Sequence, residues 1–577
     1  MDMVNVKING RDYLVPKDAT VLEAAKIAGV DIPTLCYLKD INEIGACRLC
    51  LVEVKGARGL VTSCVYPVNE GMEIFTNTPK VVKARKMNLE LLLSGHERKC
   101  LSCVRSTNCE LQKLCRDYGV EETTFEGVRN QYPVESFGTS IVRDNNKCIL
   151  CRRCVAACQN QGVGVIGAKN RGFDTNIGCA FDLPLDETSC INCGQCIVSC
   201  PVGALYEVDD TQKVLDAIAD PKKHVAICMA PSVRAGIGEA FGYAPGTDTE
   251  GKMIAATKRL GFDGVYDMNF TADLTIMEEA TEFLDRLNNG GKLPLMTSCS
   301  PGWIKFCEHY FPDMVENLSS CKSPQQMFGA MYKTYFAKKM GINPEDIFMV
   351  SCIPCTAKKF EIGRADQNAA GLPDVDAAIT TRELARMIEQ AGINFRELED
   401  EKFDQPVEIG SGAGVIFGAT GGVMEAALRT AAEVITGKAL ECVDFEDVRG
   451  VAGIKRATYK LGDIELKVAV VSGTGNAKEL LKRVQSGEEK VDFIEVMACP
   501  GGCVNGGGQP IQPARVRNEI DLRAARASIL YNADKKMDLR KSHENSIVKK
   551  LYNEFLEKPG SHKAHELLHT TYVKRGL

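Results

Sequence analysis

The chain has 577 residues, 45% of them hydrophobic and 25% charged, which is ordinary for a globular protein and leaves room for several domains. A formal charge of −6 gives no reason to expect nucleic acid or an anionic membrane as a partner. No basic segment followed by an apolar one opens the chain, and no apolar run approaches the roughly 18 residues of a membrane span. We therefore expect a cytoplasmic protein that does not enter a membrane.

Cysteine is the unusual feature of the composition. The chain has 26 cysteines, many of them in closely spaced groups. Because the cytoplasm keeps thiols reduced and makes structural disulfides rare, metal ligation is the expected role of these groups. Zinc and iron–sulfur clusters are the alternatives, and the spacing must decide between them.

Residues 1–80 predict a β-grasp domain like that of plant-type ferredoxins. VNVKING and RDYLV form two strand patterns around an Asn9-Gly10 turn, and ATVLEAAKIAGV has helical periodicity. Four cysteines follow in a C-x10-C-x2-C-x13-C pattern, which is wider at its start than the plant-type spacing. We expect these to hold a [2Fe-2S] cluster, with zinc as the alternative: Cys36, Cys47, Cys50 and Cys64.

Residues 81–125 predict a small helical domain with a second ligand group. The helical run VVKARKMNLELLLSG is followed by His96, Cys100, Cys103 and Cys109. Zinc would accept this set of one histidine and three cysteines as readily as iron would. Cys115 lies just beyond the group and is expected to be structural.

Residues 138–212 contain a double repeat in which each half carries C-x2-C-x2-C-x3-C. This is the run of bacterial two-cluster ferredoxins, in which the fourth cysteine serves the other cluster. Pro201 follows the second half, whereas Gln159 follows the first, and Cys179 has no assigned role. The pattern predicts two [4Fe-4S] clusters, one on Cys148, Cys151, Cys154 and Cys200, and the other on Cys158, Cys190, Cys193 and Cys196.

Residues 220–577 predict a large α/β domain, because the apolar runs HVAICMA, DIFMVSCI, KVAVVSG and DFIEVMA alternate with helical segments. The last 70 or so residues are charged and helical, and are expected to wrap around this domain. The fold class is therefore a multidomain α+β and α/β protein.

Three segments of this last domain resemble the signatures of iron–iron ([FeFe]) hydrogenases: TSCSPGW at 297–303, IPCTAKKFE at 353–361 and EVMACPGGCVNGGGQP at 495–510. The resemblance covers essentially the whole chain. It is closest to subunits that work with flavin- and NAD(P)-binding and [2Fe-2S] partner subunits and with ferredoxin, some of them electron-bifurcating. It implies an anaerobic hydrogenase, with one [2Fe-2S] cluster, three accessory [4Fe-4S] clusters including the His96 group, and a catalytic H-cluster.

The H-cluster of that family is a [4Fe-4S] cubane bridged to a two-iron unit that carries carbon monoxide, cyanide and an azadithiolate. The resemblance makes Cys355, Cys499 and Cys503 cubane ligands, with Cys503 as the bridging one, and Lys358 a contact of the cyanide ligands. The soft thiolates and the glycine-rich loop suit a bulky iron group. The same resemblance places five further residues around the two-iron unit: Ala230, Pro231, Ser232, Pro354 and Met497.

Glu279, Glu282 and Arg286 are three and four positions apart, which places them on one helix face. A solvated charged stripe is the simpler interpretation of this spacing. The resemblance instead matches these residues, together with Ser319, to a proton path that ends at Cys299.

This sequence departs from the commonest family pattern, TSCCPxW, at Ser300. Position by position, Cys299 would donate protons and Ser300 would be the fourth cubane ligand, although serine is a hard donor and clusters are held by thiolates. The alternative, in which Cys299 is the ligand, requires backbone movement beside Pro301. We favour Cys299 as the ligand, because losing a cubane ligand threatens the whole cofactor.

His565 and His569 form an HExxH pattern, which is typical of zinc proteases. We reject that interpretation, because the motif lies near the chain end without a substrate cleft. No glycine-rich dinucleotide fingerprint follows a strand, so flavin and NAD(P) are expected on partner subunits. A hydrogen sensor and a cluster-assembly scaffold are the competing functions, and both are disfavoured by the intact catalytic motifs.

Overall fold

The computed structural model describes residues 2–121, 124–125, 127–136, 138, 140–405, 410–462 and 464–576, so the predicted domain limits 1 and 577 lie outside the described residues. The N-terminal module is a sheet of order β2-β1-β5-β3-β4 with one helix on it. Asn9 and Gly10 have φ of 48° and 83°, as a tight hairpin turn requires, so the predicted hairpin is confirmed. Its elements are β1 (Met3–Ile8), β2 (Arg11–Pro16), α1 (Val21–Ile27), β3 (Leu51–Val54), β4 (Val61–Thr62) and β5 (Met72–Phe75).

The second module consists of α2 (Pro79–Gly95) and α3 (Glu110–Asp117). The Thr78 hydroxyl accepts a hydrogen bond from the Val81 amide and caps the start of α2. His96 is the residue at which α2 ends. The predicted helix before the His96 group is therefore confirmed, and it places the imidazole directly at a helix terminus.

The third module repeats one loop-and-helix unit. Leu150 and Arg152 have φ of 54° and 62°, and Asn192 and Gly194 have φ of 56° and 68°, so the two cysteine loops bend alike before their helices begin. The elements are β6 (Ile141–Arg143), α4 (Arg153–Asn160), β7 (Gly167–Lys169), β8 (Asn176–Gly178), α5 (Gln195–Ser199), β9 (Leu205–Glu207) and α6 (Thr211–Ala219).

Two sheets form the centre of the largest module. One is entirely parallel and has the order β11-β10-β13-β14, and the other has the order β12-β17-β16-β15 with only β15 antiparallel. The four predicted strands are confirmed, as β10, β13, β16 and β17. The strands are β10 (His224–Met229), β11 (Gly264–Asp267), β12 (Leu295–Met296), β13 (Ile347–Cys352), β14 (Ala377–Ile379), β15 (Ile454–Leu461), β16 (Ile464–Ser472) and β17 (Phe493–Met497).

Helices cover both sheets and bury a continuous apolar core around β10 and β13. They are α7 (Pro231–Arg234), α8 (Ile237–Ala240), α9 (Glu250–Lys258), α10 (Asn269–Asn289), α11 (Pro301–Tyr310), α12 (Pro324–Met331), α13 (Ala337–Met340), α14 (Ala357–Glu361), α15 (Thr381–Gln390), α16 (Gly412–Val415), α17 (Gly422–Thr436), α18 (Thr474–Gln485), α19 (Ala514–Arg517), α20 (Leu522–Lys536), α21 (Ser546–Leu551) and α22 (His562–Leu568).

The last segment, α20 to α22, packs against this module through buried charges. Arg526 and Glu239 form an ion pair of 2.7 Å, and both side chains are buried. Asp273 accepts hydrogen bonds from Ser542 at 2.7 Å and from Asn545 at 2.8 Å. Breaking a buried pair of this kind typically costs about 3–5 kcal/mol, so the segment is held firmly. Among the described residues, no helix combines the length and apolarity that crossing a bilayer would require.

The catalytic motifs all follow the carboxyl ends of parallel strands. Ala230 follows β10, Cys299 follows β12, Cys355 follows β13 and Cys499 follows β17. Binding sites of open α/β sheets form at this edge, because loops leave the strands there and diverge around a crevice. The two sheets therefore bring these four loops to one place.

Candidate cluster sites and active site

The first cysteine group forms two buried pairs. The amide of Cys36 donates to Sγ of Cys47 and the amide of Cys47 to Sγ of Cys36, both at 3.4 Å, and the Sγ atoms of Cys50 and Cys64 are 3.3 Å apart. No disulfide joins them. Four buried free thiols in two pairs are a donor set that fits a [2Fe-2S] cluster.

The His96 group offers a neutral imidazole. His96 is buried, and its Nδ1 atom has no hydrogen-bond partner among the described residues. Burial lowers the pKa of His96, which favours the unprotonated form that ligates metals. Cys103 lies against the third module, because a Cβ on Gly203 would lie 2.4 Å from its Sγ. The orphaned nitrogen is the atom that the histidine ligand of a cluster would use, with Cys100, Cys103 and Cys109 as the predicted thiol ligands.

The two halves of the ferredoxin module combine as the crossed pattern predicts. One cavity is lined by four cysteines that come from both halves of the repeat: Cys148, Cys151, Cys154 and Cys200. None of the four cysteines predicted for the other cluster lines it. The four cysteines predicted for the second cluster also lie close together. Burial is the main cause that raises the pKa of Cys196, and the charges of Cys193, Cys190 and Cys158 raise it further. Cys179 is buried with its Sγ 3.9 Å from Arg143 and does not line the described cavity.

A second small cavity lies where β12, β13 and β17 end. Four cysteines and Ser300 share its wall. Cys193 belongs to the ferredoxin module, and the other three cysteines with Ser300 are a donor set for a cubane. The lining residues are Cys193, Ser300, Gly302, Cys355, Ala357, Met497, Ala498, Cys499, Gly502, Cys503 and Gly506. A Cβ on Gly506 would lie 1.9 Å from the carbonyl oxygen of Pro354. The glycine at this position is thus needed for close backbone packing against Pro354, which does not itself line the cavity.

Ser300, and not Cys299, lines this cavity, so the geometry favours Ser300 as the fourth ligand over the expected Cys299, and the assignment stays a prediction. The Oγ atom of Ser300 accepts a hydrogen bond from the Ala498 amide at 3.3 Å, so its side chain faces β17. Neighbouring side chains in extended backbone point in opposite directions, and Cys299 accordingly faces α10. There burial, followed by the charges of Glu279 and Cys503, raises the pKa of the Cys299 thiol.

Lys358 is fixed beside this loop by residues that the sequence analysis did not single out. Its Nζ atom donates to the Cys299 carbonyl at 3.1 Å and to Oε2 of Glu361 at 2.8 Å. The same oxygen accepts hydrogen bonds from Ser323 at 2.8 Å and from Gln325 at 3.1 Å. The buried ammonium is therefore held by a satisfied carboxylate.

The loop after β10 reaches the same region from the other sheet. The amide of Ala230 donates to the Cys352 carbonyl at 3.0 Å, and Gln509 donates to the Ser232 carbonyl at 2.8 Å. The Oγ atom of Ser232 is buried without a hydrogen-bond partner among the described residues. Ser232 thus contacts the glycine-rich segment through Gln509. Ala230, Pro231 and Ser232 do not line the cubane cavity, whereas Met497 does.

The predicted proton-path residues form one file along α10. Glu279 is 1% exposed, and its carboxylate oxygens have no hydrogen-bond partner at close range among the described residues. Burial, then the charge of Glu282, raises the pKa of Glu279 to about 8. The Ser319 hydroxyl donates to Glu282 at 2.9 Å, and Arg286 contacts the other oxygen of Glu282 at 2.5 Å.

These modules define an oxidoreductase in which iron–sulfur sites lead to a buried metal centre supplied with its own acid–base file. Comparison with known families is specific. The family model for the C-terminal domain of the iron only hydrogenase large subunit matches residues 223–507, and that of the iron hydrogenase small subunit matches 519–575. The chain belongs to the [FeFe] hydrogenase family, as its catalytic large subunit, and is an oxidoreductase acting on hydrogen.

Family models for the accessory clusters match the remaining modules. A 2Fe-2S iron-sulfur cluster binding domain matches residues 1–79, the NADH-ubiquinone oxidoreductase-G iron-sulfur binding region matches 85–124, and a 4Fe-4S dicluster domain matches 147–204. The predicted fold class and the predicted kinds of cofactor, [2Fe-2S], [4Fe-4S] and H-cluster, are confirmed.

Relatives extend over the whole chain. It is 49% identical to the NADP-reducing hydrogenase subunit HndD of Solidesulfovibrio fructosivorans, over 100% of both chains. It is 44% identical to iron hydrogenase 1 of Clostridium pasteurianum, over 99% of this chain and 100% of that protein. A solved structure of [FeFe]-hydrogenase HydA1 from Chlamydomonas reinhardtii aligns with a TM-score of 0.57 and 44% identity, over 64% of this chain and 100% of the other.

Proposed function

We propose that this chain catalyses the reversible reduction of protons to molecular hydrogen. One observation carries the proposal: a file of ionisable side chains runs along α10 toward a cavity that is lined by the three motif cysteines Cys355, Cys499 and Cys503, by Ser300 and by Cys193 of the ferredoxin module. A solvated stripe would leave Glu279 exposed, whereas it is buried. An electron-transfer protein alone would have no use for a buried acid at this position.

The residues that would hold the H-cluster cubane are Cys355, Cys499, Cys503 and Ser300. When bound, the H-cluster supplies the metal chemistry that makes and breaks the H–H bond. Lys358 and the Ala230–Ser232 loop would position the two-iron unit and exclude water from it. A lysine ammonium held by Glu361 suits an anionic ligand nearby.

Protons would move between the file and the Cys299 thiol, which becomes the donor at the active site. Because the pKa of Glu279 is about 8, this carboxyl holds its proton at neutral pH and releases it readily, as a relay requires. The Ser319 hydroxyl bridges toward Glu282, and Arg286 keeps Glu282 in place at the outer end.

Electrons would arrive through the ferredoxin module. Cys193, assigned to one accessory cubane, lines the active-site cavity, and its carbonyl is 3.9 Å from Sγ of Cys499. We further infer a cytoplasmic complex in which flavin- and NAD(P)-binding and [2Fe-2S] subunits, or ferredoxin, exchange electrons with the N-terminal clusters. The relative named as an NADP-reducing hydrogenase subunit supports this inference.

The test is hydrogen evolution from a chemically reduced viologen after maturation of the H-cluster. Sustained turnover that depends on Cys503 supports catalysis. A sensor would give only trace turnover, and a cluster-assembly scaffold would give none. The partner assignment is tested separately, by measuring hydrogen-dependent reduction of NADP after the inferred flavin- and NAD(P)-binding partner subunits are added.

A further inference from the structure

The HExxH pattern of α22 lies against the outer end of the proton file. Nδ1 of His569 is 2.8 Å from the Ser320 hydroxyl, and the Ser320 amide donates to Glu282 at 3.0 Å. A ligand atom of His569 and a carboxylate oxygen of Glu282 lie within 4.8 Å, a gap that one water molecule can bridge. The imidazole therefore faces the same carboxylate that Arg286 holds.

Glu278 orients this imidazole from the other side. Nε2 of His569 is 3.1 Å from Oε2 of Glu278, which is fully buried beneath it. Tyr552 donates a hydrogen bond to Glu278 at 2.5 Å and the Gly560 amide donates one at 2.9 Å, so the carboxyl group is fixed beneath the imidazole. Nε2–H then points at Glu278, which leaves Nδ1 as the basic nitrogen on the side of Ser320 and Glu282.

His565 connects this imidazole to solvent. The ring centroids of His565 and His569 are 4.0 Å apart, and His565 is exposed. Burial and then the charge of His569 lower the pKa of His565, whereas Glu278 and Glu282 raise it. An exposed imidazole that packs at an angle of 33° against an inner one is a suitable entry point for protons near neutral pH.

We propose that His565 and His569 form a second solvent branch of the proton path, which joins the file at Glu282 in addition to the exit beside Arg286, where Arg286 holds the Glu282 carboxylate in position. In the direction of hydrogen evolution, His565 takes a proton from water and His569 receives it. His569 then passes a proton to the Glu282 carboxylate: one N–H bond breaks, one O–H bond forms, and both imidazoles return to neutral. The same steps run in reverse when hydrogen is oxidised.

The simpler interpretation is that His569 only fastens the C-terminal segment. Backbone contacts already fasten this segment. They are the strand-like bridge between Cys321 and His569 and the hydrogen bond from the Lys322 amide to the Leu568 carbonyl at 2.7 Å. A fastening role requires neither the exposed second histidine nor the buried acceptor Glu278. The groups that face His569 are all ionisable or polar: Glu278, Glu282, Ser320, Cys321 and His565.

The proposal rests on the proposed hydrogenase activity, so the experiment uses the matured holoenzyme with rates normalised to iron content. Parallel branches predict synergy. His569→Gln alone and Arg286→Ala alone should each slow viologen-driven evolution by only about 2- to 5-fold, whereas the double variant should lose on the order of 100-fold, the usual effect of removing a general acid–base group. His562→Gln, exposed at the start of the same helix, is the matched control.

A second variant keeps the test decisive if His569→Gln loads poorly. In the Arg286→Ala background, His565→Ala should lose the remaining activity, and added imidazole should restore it, which no fastening role predicts. Additive effects of the two branches, or no rescue by imidazole in a normally loaded enzyme, would overturn the proposal. An inactive wild-type enzyme would instead contradict the proposed function itself.

Discussion

The substitution Glu279→Gln tests the proton file most directly. Gln has nearly the same shape but cannot carry a proton, and Glu279 makes no close hydrogen bond that the change would break. With a pKa of about 8, the wild-type carboxyl is protonated in about nine-tenths of molecules at pH 7. Loss of one such acid–base group typically costs on the order of 100-fold or more, so the variant should retain about 1% of wild-type turnover.

The pH dependence gives a second readout of the same carboxyl. Hydrogen evolution needs the protonated form, so its rate should fall as the pH rises through about 8. Hydrogen oxidation needs the ionised form, so its rate should fall as the pH drops below that value. Both limbs should vanish in Glu279→Gln. Asp285→Asn, an exposed change on the same helix, is the control. Wild-type turnover in the Gln variant, at normal iron content, would refute the assignment.

Four further predictions concern the clusters. Cys299→Ala should leave the cubane spectrum intact while turnover falls by roughly 100-fold, and failure of the cubane to assemble would make Cys299 a ligand after all. In protein that carries only the H-cluster cubane, Ser300→Ala should lower the amount of iron retained. Ser300→Cys should retain the iron and shift the electron paramagnetic resonance signal. Identical spectra for wild type and Ser300→Cys would exclude an oxygen ligand. A fully loaded chain should contain about 20 iron atoms, and stoichiometric zinc at the His96 group in active enzyme would contradict this count. Gly506→Ala should prevent H-cluster loading and spare the accessory clusters, because its Cβ would lie 1.9 Å from the Pro354 carbonyl.

The accessory groups were predictable because their ligands are mostly local in sequence. C-x2-C spacing needs only a short bent loop, and the crossed fourth ligand follows from the repeat. The strands β10, β13, β16 and β17 were predictable for a similar reason, since buried parallel strands are nearly continuous apolar runs. Their order and pairing could not be predicted, and these decide which loops meet at the active site.

The assignment of Cys299 and Ser300 depends on such a pairing. The residue that faces the cavity is set by β12 lying beside β17, where the Ala498 amide meets Ser300. No local pattern reveals this, and our chemical preference for a thiolate pointed to the other residue. Glu361 could have been identified, because it lies three positions after Lys358, a spacing that brings two side chains together if the segment is helical.

His569 illustrates the opposite failure. The HExxH motif was visible in the sequence, but Ser320, the residue whose hydroxyl contacts His569, lies 249 positions away in the chain. The HExxH spacing places two imidazoles on one helix face whatever they serve. Here that face meets the proton file and not a peptide substrate, and only the docking of α22 shows it.

The contact between Gly194 and Gly507 limits which ferredoxin modules can be joined to this catalytic domain. A Cβ on Gly507 would lie 2.4 Å from the Cys193 carbonyl, and one on Gly194 would lie 2.9 Å from Gly507 Cα. Thr356 also donates a hydrogen bond to the Asn192 carbonyl at 2.6 Å. A ferredoxin unit borrowed from another protein must therefore present a glycine at this position and an unobstructed carbonyl before it. Engineers who exchange electron-input modules would be replacing part of the catalytic pocket, and grafts chosen by redox potential alone should fail.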